Sequence, residues 1–159
     1  MLFNKILTNK PNDFKSRLYN EKTFLKQFLK DLDNCKSEVI IESPYITTAR
    51  MDTFYPVFQG LLHKKIKIHL ITRDPVDHED EFFRYQAVNE VMKTSELGVN
   101  VVLLKGRHHR KLAIIDKKIL WEGSLNILSY SNSLEIMRRI EGVTLATQML
   151  NFLDIPKFI

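Results

Sequence analysis

The sequence predicts an α/β fold: a mixed, largely parallel sheet flanked by helices on both faces, with an antiparallel hairpin added past its middle. Helix-like and strand-like segments alternate over the first two thirds of the chain, which is how a parallel sheet covered by helices is built. Two short apolar runs joined by a tight polar turn then follow, a hairpin pattern. The composition agrees: 44% of the 159 residues are hydrophobic, with only five Gly and five Pro, enough for a real core in one domain over residues 1–159.

The elements follow in order. "EKTFLKQFLKDL" sets Phe24, Leu25, Phe28, Leu29 and Leu32 on one helical face. "SEVIIESPY" is a β-branched strand stopped by Pro44, and "DTFYPVFQGLLHK" has helical spacing, with Pro56 expected in its first turn. "KIKIHLITR" reads as a strand. "DHEDEFFRYQAVNEVMKTSELG" reads as a long helix with acids in its first turn and Gly98 at its C-terminal cap. "VNVVLL" is a third strand. After Gly106, "RKLAIID" and "KILWEG" form the hairpin around Asp116 and Lys117. "LEIMRRIEG" adds a strand and "VTLATQMLNFL" a closing helix. Trp121, on the second hairpin strand, is expected to pack in the core.

Several function classes drop out on composition. One cysteine, Cys35, allows neither an internal disulfide framework nor a cysteine zinc cluster. No apolar run is long enough to span a bilayer, and "MLFNKILTNK" is too short and broken for a secretory signal, so a soluble, cytoplasmic protein with no membrane partner is expected. The formal charge of +5 favours an anionic partner such as nucleic acid.

The chemistry concentrates in "GRHHRKLAIIDKKILWEGSLN". His109 and Lys111, two apart on an expected strand, share a face, and His108 points the other way. An imidazole beside an ammonium suits a phosphate: one supplies a nucleophile or proton, the other neutralises charge. Ser124 and Asn126 stand two apart at the end of the next strand, and the hairpin brings the two pairs together. Arg107, His108 and Arg110 flank the pair and are expected to line a groove for a phosphate backbone. Tyr45 and Arg73 follow parallel strands, at the ends where open α/β sheets bind ligands.

The spacing from His109 through Lys111, Asp116, Gly123 and Ser124 to Asn126 resembles the complete signature of the phospholipase D superfamily, and Glu135 resembles the acid that follows it. Members build one active site from two such motifs. This chain carries one, since the "HKK" at His63 lacks the residues that should follow. In that respect it is similar to the small bacterial nucleases that pair two identical chains across a two-fold axis. The resemblance implies a homodimer in which His109 of one subunit attacks phosphorus and His109 of the partner subunit protonates the leaving oxygen. Lys111 and Asn126 would clamp the non-bridging oxygens, Ser124 would be a supporting donor and Glu135 would orient the imidazole. Asp116 would position the turn or hydrogen-bond within it. The scheme requires no metal and no cofactor. It makes the chain a metal-independent nuclease acting on DNA rather than RNA, with a separate specificity domain or regulatory protein as a further partner. The alternatives are a nucleic-acid-binding module of a larger restriction or repair assembly, and a phospholipid hydrolase.

Overall fold

The computed structural model describes residues 14–130 and 132–159. The opening run, residues 1–10, lies outside the described residues. The elements are β1 (Lys15–Asn20), α1 (Phe24–Asp33), β2 (Glu38–Glu42), α2 (Thr48–His63), β3 (Lys67–Arg73), α3 (Glu81–Glu96), β4 (Asn100–Leu104), β5 (Leu112–Ile115), β6 (Ile119–Gly123), β7 (Ile136–Glu141) and α4 (Val143–Phe152).

The seven strands make one mixed sheet in the order β1-β7-β6-β5-β2-β3-β4. The α/β architecture is as expected, but the sheet is not largely parallel. Only β2–β3 and β3–β4 pair in parallel, whereas β2–β5, β5–β6, β6–β7 and β1–β7 are antiparallel. The helical crossovers end at β4; every later strand joins through a hairpin or a short return. β1 carries no apolar alternation, which is why its sequence gives no strand signal. It is a mostly exposed edge strand held in register by β7, from Lys15 opposite Glu141 to Asn20 opposite Ile136.

Helices cover both faces. On one, Phe24 and Phe28 of α1 and Phe54 and Phe58 of α2 pack around Trp121, with α3 contributing Ala87. On the other, Ala146 and Leu150 of α4 meet Ile40, Ile71 and Ile114. Trp121 is fully buried and edge-on to Phe24 and Phe28, and its indole N–H donates to the Asp31 carboxylate at 2.9 Å. α2 starts earlier than expected, so Pro56 lies in its interior. The ring is tolerated there because Pro56 is exposed, leaving the carbonyl that loses its intrahelical partner beside water.

The hairpin between β5 and β6 turns through Asp116 (φ 53°) and Lys117 (φ 51°), with the Lys118 N–H donating to the Ile115 carbonyl at 3.0 Å. Two consecutive left-handed residues match the right-handed twist of the strands they join.

Candidate active site

β5 is shorter than its sequence suggests, so His109 and Lys111 lie in the irregular run before it. The Gly123 N–H still reaches the Lys111 carbonyl at 3.4 Å, and this holds the run against the far end of β6. His109, Lys111, Ser124, Asn126 and Glu135 therefore border one cleft of about 880 Å³, with Glu122 and Arg138 on its wall.

Within the cleft the Lys111 ammonium sits 2.9 Å from Nδ1 and 3.2 Å from Nε2 of His109 and donates to the His109 carbonyl at 2.8 Å. An ammonium can donate to a ring nitrogen only where that nitrogen carries no proton, and a nucleophilic imidazole needs such a nitrogen. Burial pulls the Lys111 pKa down and the Glu135 charge opposes that shift.

Gly123 ends β6 where β7 passes closest. A Cβ there would lie 2.2 Å from the Ile136 carbonyl oxygen and 2.9 Å from Met137 Cα, so only glycine fits. Gly123→Ala is expected to destabilise the protein by about 1–3 kcal/mol through overpacking and to lower the urea midpoint accordingly. Next to it, the Ser124 hydroxyl accepts from the Ile136 N–H at 3.1 Å, and the Ser124 N–H donates to the Ile136 carbonyl at 2.9 Å. Ser124 thus extends the β6–β7 ladder by one residue. Asn126 differs: its side-chain Oδ1 is buried and has no hydrogen-bond partner, an unmet requirement that a bound group can satisfy.

Glu135 accepts from the Ser133 hydroxyl at 2.7 Å, and among the described residues no hydrogen bond joins it to His109. Within one chain its charge supports Lys111 rather than the imidazole. Asp116 stands apart from the cleft, and its hydrogen bonds do not stay within its turn. Its carboxylate accepts from the N–H groups of Lys36, Ser37 and Glu38 and from the Ser37 hydroxyl. Burial pushes its pKa up, but the Ser37 hydroxyl and the three N–H groups outweigh that and bring it down to about 2. The residue pins the hairpin to the turn between α1 and β2. Cys35, beside it, is buried and its thiol is pushed up to about 11, first by burial and then by Asp116.

The flanking residues divide. Arg107 is exposed. Arg110 lines the cleft but its Nε donates to the Glu42 carboxylate at 2.6 Å. His108 does not line a groove: its side chain is 5% exposed and its Nε2 lies 3.3 Å from the same Glu42 oxygen. Burial, followed by the charges of Arg110, Lys111 and His109, takes the His108 pKa down to about 4, so it packs as a neutral ring. Glu42 is the residue that motif spacing does not reveal. It is fully buried at the end of β2 and ties down residues on both sides of His109. A carboxylate inside the apolar run "VIIE" is the one signal that marks it. Burial raises its pKa and Arg110 opposes the shift. Glu42→Ala is expected to cost about 2–3 kcal/mol in urea unfolding, less than a fully buried pair because the Arg110 side chain remains 41% exposed.

Tyr45 and Arg73 both come to the site, though to a second, adjoining cavity that shares Asn126 with the first. The Tyr45 ring stands edge-on to His109 at 6.4 Å. Phe83, His78 and Tyr130, which no motif marks, complete this cavity.

Comparison with known proteins agrees with this fold. Residues 28–154 match the family described as cardiolipin synthase, PLD-like domain, and the chain belongs to this family within the phospholipase D-like superfamily, whose members are typically phosphodiester hydrolases. No curated protein matches it. Among solved structures it is similar to NucT from Helicobacter pylori, at 18% identity over 87% of this chain and 92% of that one, with a TM-score of 0.69. It is also similar to Nuc, a phospholipase D family member from Salmonella typhimurium, at 13% identity over 87% and 91%, with a TM-score of 0.68. Phosphatidylserine synthase from Haemophilus influenzae Rd KW20 aligns at 16% identity over 91% of this chain and 39% of that one, with a TM-score of 0.67. Among the described residues no helix is long and apolar enough to cross a membrane.

Proposed function

We propose that the chain is a metal-independent phosphodiesterase, a DNA endonuclease that works through a phosphohistidine intermediate at a homodimer interface. The observation that carries this reading is the convergence of His109, Lys111, Ser124, Asn126 and Glu135 on one cleft. An imidazole nitrogen of His109 forms a bond to phosphorus as the P–O bond to the leaving group breaks. His109 of the partner subunit gives its proton to that oxygen, then takes one from the water that displaces the imidazole. The Lys111 ammonium and the Asn126 Nδ2–H group donate to the non-bridging oxygens. Arg110, in the wall of the cleft, and Arg107, exposed two residues before His109, meet the flanking phosphates.

One chain supplies a single histidine to the cleft, so the acid must come from elsewhere. Large apolar side chains are exposed in its wall: Leu18 and Ile136 are each 61% exposed, and Leu134, next to Glu135 in the chain, is 93% exposed. Such a rim fits burial against a second copy. The test is cleavage of plasmid and single-stranded DNA in excess EDTA by protein whose mass is measured by sedimentation. We expect a dimer that cuts DNA in EDTA; a dimer that cuts nothing, or cutting abolished by EDTA, defeats the proposal.

A further inference from the structure

We infer that the cavity between Tyr45 and Tyr130 is a subsite for an unstacked nucleobase next to the scissile phosphate; this rests on the phosphodiesterase reading and extends it. The cavity measures about 430 Å³ and opens beside the catalytic cleft, with Asn126 in the wall of both. Its position follows from the sheet. Tyr45 lies beyond the end of β2 and Arg73 at the end of β3, while Phe83 enters from the first turn of α3.

Two properties of this cavity match what a base requires. The first is an aromatic wall. The Tyr45 ring packs against Phe83 at 5.8 Å and His78 at 5.3 Å. Tyr130, in the wall of the same cavity, is 66% exposed, and the Arg50 guanidinium lies 5.8 Å from its ring centroid. The second is a set of unmet hydrogen-bonding atoms. Arg73 Nε, His78 Nε2 and Asn126 Oδ1 are all buried, all without a partner, and all on residues that line this one cavity. Buried polar atoms are nearly always paired, so three unpaired ones around one space point to a missing occupant. Arg73 Nε can only donate and Asn126 Oδ1 only accept. The His78 ring, kept neutral by burial and then by the Arg73 charge, can do either. An edge with both donors and acceptors beneath a flat apolar face describes a nucleobase.

The same aromatic wall invites comparison with a cage for a cationic lipid headgroup, since Glu79 and Asp80 also border the cavity. The polar atoms weigh against it. Asp80 is engaged as the N-cap of α3, accepting from the Phe83 N–H at 3.0 Å, and Glu79 is exposed. Arg73, by contrast, places a guanidinium in the wall, which repels an ammonium. A base can reach this space only after leaving its stack, so the preferred strand is single-stranded or locally opened.

The experiment compares binding of deoxyadenosine 5′-monophosphate, deoxythymidine 5′-monophosphate, deoxyribose 5-phosphate and phosphocholine to the full chain by NMR titration. Base–aromatic stacking of this kind is worth roughly 5- to 150-fold in affinity, so the nucleotides are expected to bind tighter than the sugar phosphate by that factor. Phe83→Ala and Tyr130→Ala should each remove most of the advantage while leaving deoxyribose 5-phosphate affinity unchanged. Equal affinities, no binding by any of the four, or a preference for phosphocholine each overturns the base subsite. Hydrolysis of bis(4-nitrophenyl) phosphate in EDTA, run alongside, separates the two claims. Hydrolysis without a nucleotide preference removes only the subsite, and a nucleotide preference without hydrolysis removes only the enzyme.

Discussion

Replacing His109 with alanine is expected to reduce phosphodiester hydrolysis by at least about 10⁴-fold, the scale seen when a nucleophile is deleted from a preorganised site. In the proposed two-fold site the loss is this large because one substitution removes two functions, the nucleophile on one subunit and the acid on the other. Lys111→Ala, which removes charge stabilisation but leaves the imidazole, should cost about 10²–10³-fold. Hydrolysis of bis(4-nitrophenyl) phosphate in EDTA measures both. A mixing experiment tests the shared site separately. When wild-type and His109→Ala subunits are unfolded and refolded together, a dimer with one active site is active only if both chains are wild type. Activity should then follow the square of the wild-type fraction. A linear dependence would mean that each chain works alone, and the second histidine would lose its role.

That His109, Lys111, Ser124 and Asn126 border one cleft is legible in the sequence because these residues are local. His109 to Asn126 span one hairpin, and a hairpin fixes which residues face each other without help from the rest of the chain. The detailed reason was not legible. His109 and Lys111 share a face because an irregular run presents them, not because of strand alternation, and the Gly123–Lys111 contact sets that run's position. Glu42 and His108 illustrate the limit. They are far apart in sequence and become neighbours only when β5 pairs with β2, with Leu112 opposite Glu42. The second cavity is harder still, since Arg73 comes from the end of β3, Phe83 from the first turn of α3, and Tyr45 and Tyr130 from two separate loops.

The fold divides the same way. Strong apolar periodicity located α1, β2, β3 and β4 close to their observed bounds. The sequence overstates the parallel character of the sheet because strand signals carry no direction: β5, β6 and β7 are as apolar as β2 and β3, and only their helix-free connections reverse them. β1 was missed because its stability comes from pairing with β7, a tertiary effect with no trace in "KSRLYN".

Asp116→Asn is expected to lower stability by about 2–3 kcal/mol at pH 7 while leaving the folded protein's turnover unchanged. Asp116 keeps the signature's spacing from His109, but its carboxylate is occupied by four donors from residues 36–38 and borders no part of the cleft. Asparagine keeps the shape but loses the charge and turns an N–H₂ toward donors already in place. The pH dependence separates this role from a catalytic one. The folded carboxyl is depressed from 3.8 to about 2, so the unfolded chain binds the proton more readily than the native one. The contribution is therefore fully present above about pH 4 and disappears as pH falls through about 2. Urea unfolding of the two proteins should diverge most at neutral pH and converge toward pH 2, while kcat per folded molecule stays equal at pH 7. A fall in kcat with equal stability would move Asp116 into the catalytic machinery. A stability gap that persists undiminished at pH 2 would show that shape, not charge, pins the hairpin to the turn between α1 and β2.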